Sequence, residues 1–76
     1  MEDKLRKLLQ EAIPDIDFAA SDTLVDDGIL DSITIAEIIG ELSVEFDVQI
    51  PFEAIAPENF NSIHATARLV ERLREA

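Results

Sequence analysis

Apolar residues near the start of the chain repeat at the spacing of one helical face. They follow the i, i+3, i+4, i+7 pattern of an amphipathic helix and are Leu5, Leu8, Leu9 and Ala12. Pro14 marks the end of this pattern, because proline lacks a backbone donor and cannot continue a helix. The pattern predicts a first helix that packs its apolar side against the rest of the chain.

The segment from residue 14 to residue 30 has neither helical nor alternating periodicity. It nevertheless contains six large apolar side chains: Ile16, Phe18, Leu24, Val25, Ile29 and Leu30. We therefore expect a long loop that packs onto the helices. A loop of this length inside a small domain is either functional or contains an element that periodicity does not reveal.

A second helical pattern runs from Ser32 to Phe46. Its apolar positions form a core stripe at helical spacing: Ile35, Ile38, Ile39, Leu42 and Phe46. Residues 47–51 interrupt the pattern, and within them residues 48–50 could form a short extended piece. The stripe predicts that one side of this helix faces the core.

Two shorter patterns follow. The segment from Pro51 to Ile55 is predicted to form a single helical turn, since proline is favoured at the first helical position, and Pro57 closes the segment. Asn61 is the predicted N-cap of a final helix. The apolar residues of that helix recur at helical spacing: Ile63, Ala67, Val70 and Leu73.

Together these patterns predict an all-α fold, a four-helix bundle with three main helices, a short third helix and a long first loop. The chain has 76 residues, and a domain of this size buries only about 60% of the surface that its unfolded chain exposes. We expect a single domain over residues 1–76 with a modest core, which leaves little room for a deep, enclosed active site.

The composition narrows the possible chemistry. The sequence has no cysteine and one histidine, His64, so disulfides and thiolate metal sites are excluded and zinc chemistry is disfavoured. Asp22, Asp26 and Asp27 lack the spacing of an EF-hand loop, so no specific metal site is predicted. Any catalysis would have to rest on carboxylates and hydroxyls.

The charge is strongly negative and unevenly distributed. Seventeen acids oppose six bases, a formal net charge of −11, which repels nucleic acid and anionic lipid and favours basic proteins as partners. All six bases lie before residue 8 or after residue 67, whereas thirteen of the acids lie between those limits. The alternative is that the acids only keep a small domain soluble. Solubility does not require acids and bases to lie in separate parts of the chain, so we favour an acidic docking surface.

The sequence shows no membrane or export signal. No apolar run approaches the roughly 20 residues that span a bilayer. The chain begins with Met1, Glu2 and Asp3, acids where a signal peptide carries bases. We expect a soluble, cytoplasmic monomer without stable membrane insertion.

The residues around position 32 form a predicted helix start. Asp31 is the expected N-cap, whose carboxylate accepts a free backbone amide of the first turn. Leu30 and Ile35 then fall at the two positions of a hydrophobic staple. Ser32 would occupy the first helical position with its hydroxyl free for modification, and a helix N-terminus favours a negatively charged group there. The alternative is that Ser32 is itself an ordinary N-cap.

A wider pattern around Ser32 resembles the phosphopantetheine attachment motif of acyl and peptidyl carrier proteins. Its core is Asp31-Ser32-Ile33, with Gly28 ahead and Glu37 behind in the amphipathic helix. The later segment 45–51, Glu-Phe-Asp-Val-Gln-Ile-Pro, resembles the Phe-Asp-x-x-Ile-Pro ending of the family's second helix. With the helix spacing, the length and the acidity, the resemblance covers nearly the whole chain.

The resemblance implies an acyl carrier protein-like fold and a carrier that is not itself an enzyme. Ser32 would receive 4′-phosphopantetheine from coenzyme A through a separate phosphopantetheinyl transferase, and the arm's thiol would hold an acyl or aminoacyl group as a thioester. The implied partners are a loading ligase and downstream transferases or synthases with basic docking patches. Residues 28–32, Gly-Ile-Leu-Asp-Ser, look more like the Gly-Val-Leu-Asp-Ser form of D-alanyl carrier proteins than the form typical of fatty-acid carriers.

We favour a stand-alone carrier in specialised acyl or aminoacyl transfer, and three alternatives stay open. The chain could serve primary fatty-acid synthesis, or it could be a carrier-like domain that is never modified and acts only as an acidic interaction module. The third is a small hydrolase with Ser32 as nucleophile. That reading lacks a positioned base, since His64 is the only imidazole and no Gly-x-Ser-x-Gly elbow surrounds the serine.

The resemblance also implies that the second helix is the surface that partners recognise. Beside the core stripe it carries a second helically spaced set, called here the outer face: Ile33, Ala36, Glu37, Gly40, Glu41 and Val44. Glutamates recur every four residues at 37, 41 and 45, a spacing at which like charges oppose helix formation by about 0.2 to 0.5 kcal/mol per pair. We expect the apolar members to contact partner proteins. We expect the acids of this face, together with Asp31, to steer the partners into place. The alternative is a solvated acidic face with incidental apolar residues.

Overall fold

The computed structural model describes residues 1–75 and contains four α-helices. They are α1 (Glu2–Ala12), α2 (Ser32–Phe46), α3 (Pro57–Phe60) and α4 (Ile63–Glu75), and a 3-10 turn spans Phe52–Ala54. No strand is present among residues 1–75. The predicted all-α architecture, with three main helices and a short third one, is confirmed.

α1 packs on the core through residues spaced four apart. Leu5 and Leu9 are buried, and Ile13, which follows the helix, is buried with them. Ala12 is exposed, so its predicted place on the apolar face is wrong. The amide of Ile13 still donates to the carbonyl of Leu9 at 2.8 Å. This bond continues the helical turn by one residue and brings the larger isoleucine side chain, rather than the alanine methyl, into the core.

The first loop, residues 13–31, packs onto the helices as its apolar content predicts. Its six apolar side chains named above are buried or partly buried in the common core: Ile16, Phe18, Leu24, Val25, Ile29 and Leu30. The side-chain amide of Gln10 donates to the carbonyl of Ile16 at 2.7 Å, which ties the start of the loop to α1. The loop is irregular but follows a defined path.

α2 has one buried side and one exposed side. All five residues of the predicted stripe are buried or partly buried in the core: Ile35, Ile38, Ile39, Leu42 and Phe46. The helix ends at Asp47, whose φ of 52° is left-handed. Such a residue commonly closes a helix, and aspartate tolerates this conformation better than most residues. The predicted stripe and the predicted break after Phe46 are both confirmed.

The region after α2 contains two short helical pieces where one was predicted. The 3-10 turn Phe52–Ala54 lies inside the predicted segment from Pro51 to Ile55. The turn ends before Pro57, as predicted, but Pro57 also occupies the first helical position of α3, a helix that was not predicted. Proline is favoured at a helix start because the amide it lacks would have no helical partner there.

α4 packs against both α1 and α3. Its predicted apolar positions are buried or partly buried, and two further residues, Thr66 and Leu69, are buried as well. The Thr66 hydroxyl lies 3.0 Å from the carbonyl oxygens of both Asn59 and Ser62. A hydrogen-bonded hydroxyl can be buried at little cost, which explains a polar residue that apolar periodicity alone does not predict.

Ser62, rather than Asn61, caps α4. The hydroxyl oxygen of Ser62 accepts the amide of Ala65 at 3.0 Å, so the predicted capping role of Asn61 is wrong. Serine and asparagine are about equally good N-caps, and the sequence does not decide between neighbours. The side chain of Asn61 turns instead toward the first loop, where it contacts Val25 and Asp26.

Candidate functional site

The start of α2 has a complete N-cap. Asp31 has extended backbone angles (φ −103°, ψ −178°), and its Oδ1 accepts the amide of Thr34 at 2.8 Å. Its carbonyl oxygen accepts the amide of Ile35 at 2.9 Å. Asp31 therefore caps α2, and the alternative that Ser32 is the N-cap is wrong.

The cap also fixes the ionisation of Asp31. The amide of Thr34 holds the pKa of this carboxyl below its ordinary value of 3.8, because a hydrogen bond donated to a carboxylate favours the charged form. Asp31 thus stays ionised and bound to the helix at neutral pH. Asp31 is adjacent to Ser32 in sequence, but within residues 1–75 its carboxylate makes no hydrogen bond with the serine hydroxyl.

Ser32 lies at the first position of α2 and is exposed to solvent. Within residues 1–75 its hydroxyl makes no hydrogen bond, since the capping bond to the first turn comes from Asp31. No acidic residue occupies the first turn of α2, and the unpaired amides of a helix start attract negative charge. An exposed, unbonded hydroxyl in this position fits a covalently attached phosphodiester.

The chain is held firmly on both sides of Ser32. Leu30, one residue before the cap, is buried, and Ile35, in the first turn of α2, is partly buried against the same core. These are the two residues of the predicted hydrophobic staple. The backbone around the serine is therefore anchored while its side chain points to solvent.

A compact turn precedes this anchored segment. Gly28 has a φ of 78°, a left-handed conformation that glycine adopts without strain, and its amide donates to the carbonyl of Val25 at 3.0 Å. The carboxylate of Asp27 accepts hydrogen bonds from the hydroxyls of Ser21 and Thr23. Both bonds lower the pKa of Asp27, and the bond from Ser21 has the larger effect. The turn therefore has its own internal hydrogen bonds.

The outer face of α2 is exposed along its whole length. Ile33 and Val44 keep 71% and 86% of their accessible surface, and the residues between them on this face are also exposed. Among residues 1–75 Arg6 pairs with Asp3 and His64 lies 2.9 Å from Glu2, and no Lys or Arg lies within salt-bridge distance of a glutamate of α2. The structure thus brings the predicted partner residues onto one exposed surface of mixed apolar and acidic character.

A second exposed apolar site was missed by sequence analysis. Phe52 retains 86% of its accessible surface and Ile55 is also exposed. Both lie in or beside the 3-10 turn, and the acidic side chain of Glu53 lies between them in sequence. A helical-turn prediction does not state which side chains face outward, so nothing in the local pattern separated these two from core residues.

The described part of the chain offers no other reactive cluster. Among residues 1–75 no group of three or more His, Cys, Asp or Glu side chains could hold a metal ion. His64 lies on the surface with its Nδ1 2.9 Å from a carboxylate oxygen of Glu2. Within the same residues, no helix is both long enough and apolar enough to cross a membrane.

Comparison with known proteins agrees with the geometry of the helix start. The family described as "Phosphopantetheine attachment site" matches residues 3–74. A D-alanyl carrier protein of Streptococcus uberis is 30% identical over 74 residues, which cover 97% of this chain and 90% of that protein. No solved structure matches the chain with comparable significance. The chain therefore belongs to the phosphopantetheine-binding family of carrier proteins, which bear a covalent 4′-phosphopantetheine group.

Proposed function

We propose that the 4′-phosphopantetheine group is attached to the hydroxyl of Ser32 and that the chain delivers acyl or aminoacyl thioesters to partner enzymes. The observation that carries this proposal is the exposed, unbonded Ser32 hydroxyl at the first position of a 15-residue helix. In the attachment step the serine oxygen bonds to phosphorus, the pyrophosphate bond of coenzyme A breaks, and adenosine 3′,5′-bisphosphate leaves. The hydroxyl proton passes to a base of the transferase.

The residues around Ser32 support this chemistry because they leave the serine hydroxyl free to react. Asp31 satisfies the amide of Thr34, so the serine is not required for the cap and its modification leaves the helix start intact. The positive end of the α2 dipole favours the negative phosphodiester. When bound, the group supplies the thiol that this cysteine-free chain lacks.

We further propose that the chain is not itself an enzyme. A serine nucleophile needs a base within hydrogen-bond reach. His64 contacts Glu2 and makes no hydrogen bond with Ser32. A fluorophosphonate probe tests the hydrolase alternative, and we expect it to leave Ser32 unlabelled, whereas stoichiometric labelling of Ser32 would contradict the carrier role. Because coenzyme A supplies the arm, we also propose that the carrier works in the cytoplasm.

The outer face of α2 is the proposed docking surface. Ile33, Ala36 and Val44 offer apolar contact, while Glu37 and Glu41 are available to basic groups on a partner, because no described base pairs with them. Unpaired acids spaced four apart disfavour the helix that carries them. This cost is consistent with a surface selected for partner contact rather than for stability.

An aminoacyl group is the proposed cargo, with D-alanine the first candidate because of the D-alanyl carrier protein that the chain resembles. The core supports a small cargo. Apolar side chains of α1, the first loop, α2, α3 and α4 converge between the helices and leave no space there for a water-sized group. A long acyl chain would have to open this packing, whereas an aminoacyl thioester can remain in solvent. A carrier of fatty-acid synthesis is the alternative.

Intact-mass analysis tests attachment. The apo chain is incubated with coenzyme A and a broad-specificity phosphopantetheinyl transferase, alone and as the variants Ser32→Ala and Ser43→Ala. Ser43 is the matched control because it is a second serine of α2 and is partly buried. We expect one phosphopantetheine on the wild type and on Ser43→Ala and none on Ser32→Ala. An unmodified wild type, or a modified Ser32→Ala, contradicts the proposal.

Cargo is tested on the holo chain. A D-alanine–carrier ligase with ATP and D-alanine is compared with an acyl-carrier synthetase with ATP and a long fatty acid, and thioesters are identified by mass and by their cleavage with hydroxylamine. We expect rapid loading with D-alanine and poor loading with the fatty acid. Efficient loading with the fatty acid alone favours the alternative.

A further inference from the structure

Asn61 makes four hydrogen bonds to three consecutive residues of the first loop. Its carbonyl accepts the amide of Leu24 at 2.8 Å. Its Oδ1 accepts the amides of Val25 at 2.8 Å and Asp26 at 3.1 Å, and its Nδ2 donates to Oδ2 of Asp26 at 3.1 Å. Both ends of one side-chain amide are used, so these bonds fix the orientation of the side chain and of the loop together.

Leu24 passes this constraint to the end of the loop. Its carbonyl accepts the amides of Ile29 at 2.9 Å and Leu30 at 3.1 Å, and its side chain is buried. Leu30 directly precedes the cap of α2. A continuous series of hydrogen bonds therefore runs from Asn61 through Leu24 to the residue before the cap.

We infer that Asn61 is a positioning residue for the modification of Ser32, because it holds the first loop in the conformation that presents the serine hydroxyl to the transferase. The inference rests on the proposed attachment at Ser32. Asn61 makes no hydrogen bond with Ser32. Its side chain acts through Asp26 and through Val25, whose carbonyl accepts the amide of Gly28 at 3.0 Å, while its backbone carbonyl holds Leu24. When its three side-chain bonds are lost the loop samples other conformations, although the backbone bond to Leu24 remains, and the fraction of chains competent to bind falls. Such a change raises KM for the chain and leaves kcat nearly unchanged, since a bound chain has the same conformation as before.

A second asparagine provides the matched control. Asn59 donates from Nδ2 to the carbonyl of Ala54 at 2.8 Å and accepts a guanidinium hydrogen of Arg72 at 3.3 Å. Its side chain therefore also joins separate segments, but it makes no hydrogen bond to the first loop within residues 1–75. A general loss of stability affects Asn59→Ala and Asn61→Ala alike, whereas loss of positioning affects only Asn61→Ala.

The first experiment measures steady-state modification of the full apo chain by the transferase and coenzyme A. For Asn61→Ala we expect KM to rise, by up to about fivefold for each roughly 1 kcal/mol lost from the ordered loop, with kcat nearly unchanged. For Asn59→Ala we expect KM near that of the wild type. Hydrogen exchange gives a readout without the transferase, and the amides of residues 24–30 should exchange faster in Asn61→Ala alone. Unchanged KM and exchange in Asn61→Ala, or an equal effect in Asn59→Ala, overturns the inference.

A rescue experiment separates positioning from general damage. In Asn61→Asp the new carboxylate can still accept hydrogen bonds from the amides of Val25 and Asp26. It has no hydrogen to donate, so it repels the Asp26 carboxylate that the Asn61 amide binds in the wild type. Adding Asp26→Asn restores one donor to the pair. We expect Asn61→Asp to raise KM, and the double variant and Asp26→Asn alone to stay close to the wild type. A double variant as impaired as Asn61→Asp overturns the inference.

The two claims fail in different ways. If wild-type chain gains no adduct that depends on Ser32, the proposed attachment fails. If the wild type is modified at Ser32 but Asn61→Ala behaves like the wild type in KM and exchange, only the positioning role of Asn61 fails.

Discussion

Asp31 and Ser32 are adjacent polar residues with different surroundings at the start of α2. The Asp31 carboxylate accepts the amide of Thr34 at 2.8 Å, while the Ser32 hydroxyl is exposed and unbonded among the described residues. If the serine capped the helix, covalent modification would remove the cap. The separation of the two tasks allows a phosphodiester to be attached without loosening α2.

The pH dependence of stability tests the Asp31 cap. Because the folded-state pKa of Asp31 lies below its ordinary value of 3.8, the cap stabilises the chain above that pH, and its contribution is lost as pH falls through the folded-state pKa. We expect Asp31→Ala to lower the urea midpoint at pH 7 and to approach the wild type well below pH 3.8. Asp31→Asn keeps a neutral hydrogen-bond acceptor, so its urea midpoint at pH 7 should fall less than that of Asp31→Ala. A pH-independent difference between Asp31→Ala and the wild type contradicts this assignment.

The two glycines should respond to alanine with opposite signs. Neither has a neighbouring atom within 4 Å of an added Cβ, but only Gly28 has a positive φ, of 78°. Gly28→Ala should cost about 1–2 kcal/mol of unfolding free energy through left-handed strain. Gly40→Ala, inside α2, should gain about 1 kcal/mol from helix propensity. Denaturant unfolding of both variants measures this, and a stabilised Gly28→Ala would show that the turn has a different conformation.

Gly40 also tests the proposed docking surface, because it lies on the outer face of α2. A stabilised Gly40→Ala with normal transferase kinetics would show that a small residue is only tolerated there. A stabilised variant with raised KM would show that a partner approaches the helix closely at this position.

At the scale of elements, local patterns predicted what local physics determines. The core stripe of α2, the cap at Asp31 and the staple of Leu30 and Ile35 all follow from spacing within one helix and its first turn. The start of α4 and the contacts of Asn61 do not follow from local spacing, because the hydrogen-bond partners of the Asn61 side chain lie 35 and 36 residues earlier in the chain. No periodicity encodes such a contact. The short third helix was predicted at residues 51–55 rather than at Pro57–Phe60 for a different reason: a four-residue helix has too few positions to show a repeat.

Charge reversal on α2 tests the outer face as a unit. Glu37→Lys with Glu41→Lys should lower the kcat/KM of the transferase about tenfold or more at low salt, because the acids that steer a basic partner are replaced by bases. The helix should keep about the same stability, since positions 37 and 41 remain a like-charge pair while the 41–45 pair becomes attractive. The matched control is Glu71→Lys with Glu75→Lys, which changes the net charge equally on exposed positions of α4. Equal effects of the two double variants would show that net charge, not this face, matters.

At the scale of the whole molecule, acids and bases are separated between elements. The six bases lie on α1 and α4, and α2 and the first loop contain none. With a net charge of −11, the molecule has acids and no Lys or Arg in the segments that flank Ser32, which include Asp27, Asp31 and Glu37. A field of this kind raises the rate at which oppositely charged partners meet in the correct orientation.

The association rate should therefore depend strongly on ionic strength. We expect the rate constant for binding of the apo chain to the transferase, measured by stopped flow, to fall about tenfold or more between roughly 50 mM and 500 mM salt, because screening shortens the reach of the field. Dissociation should change less. A salt-independent association rate would contradict electrostatic steering and favour a surface whose acids serve only solubility.

The central claim is that Ser32 carries the arm, and localisation of the modification tests it most directly. The holo chain is fragmented and sequenced by tandem mass spectrometry under conditions that retain the phosphodiester. The account predicts phosphopantetheine on Ser32 and on no other hydroxyl, including the partly buried Ser43 and the α4 cap Ser62. Phosphopantetheine on any residue other than Ser32 would contradict it.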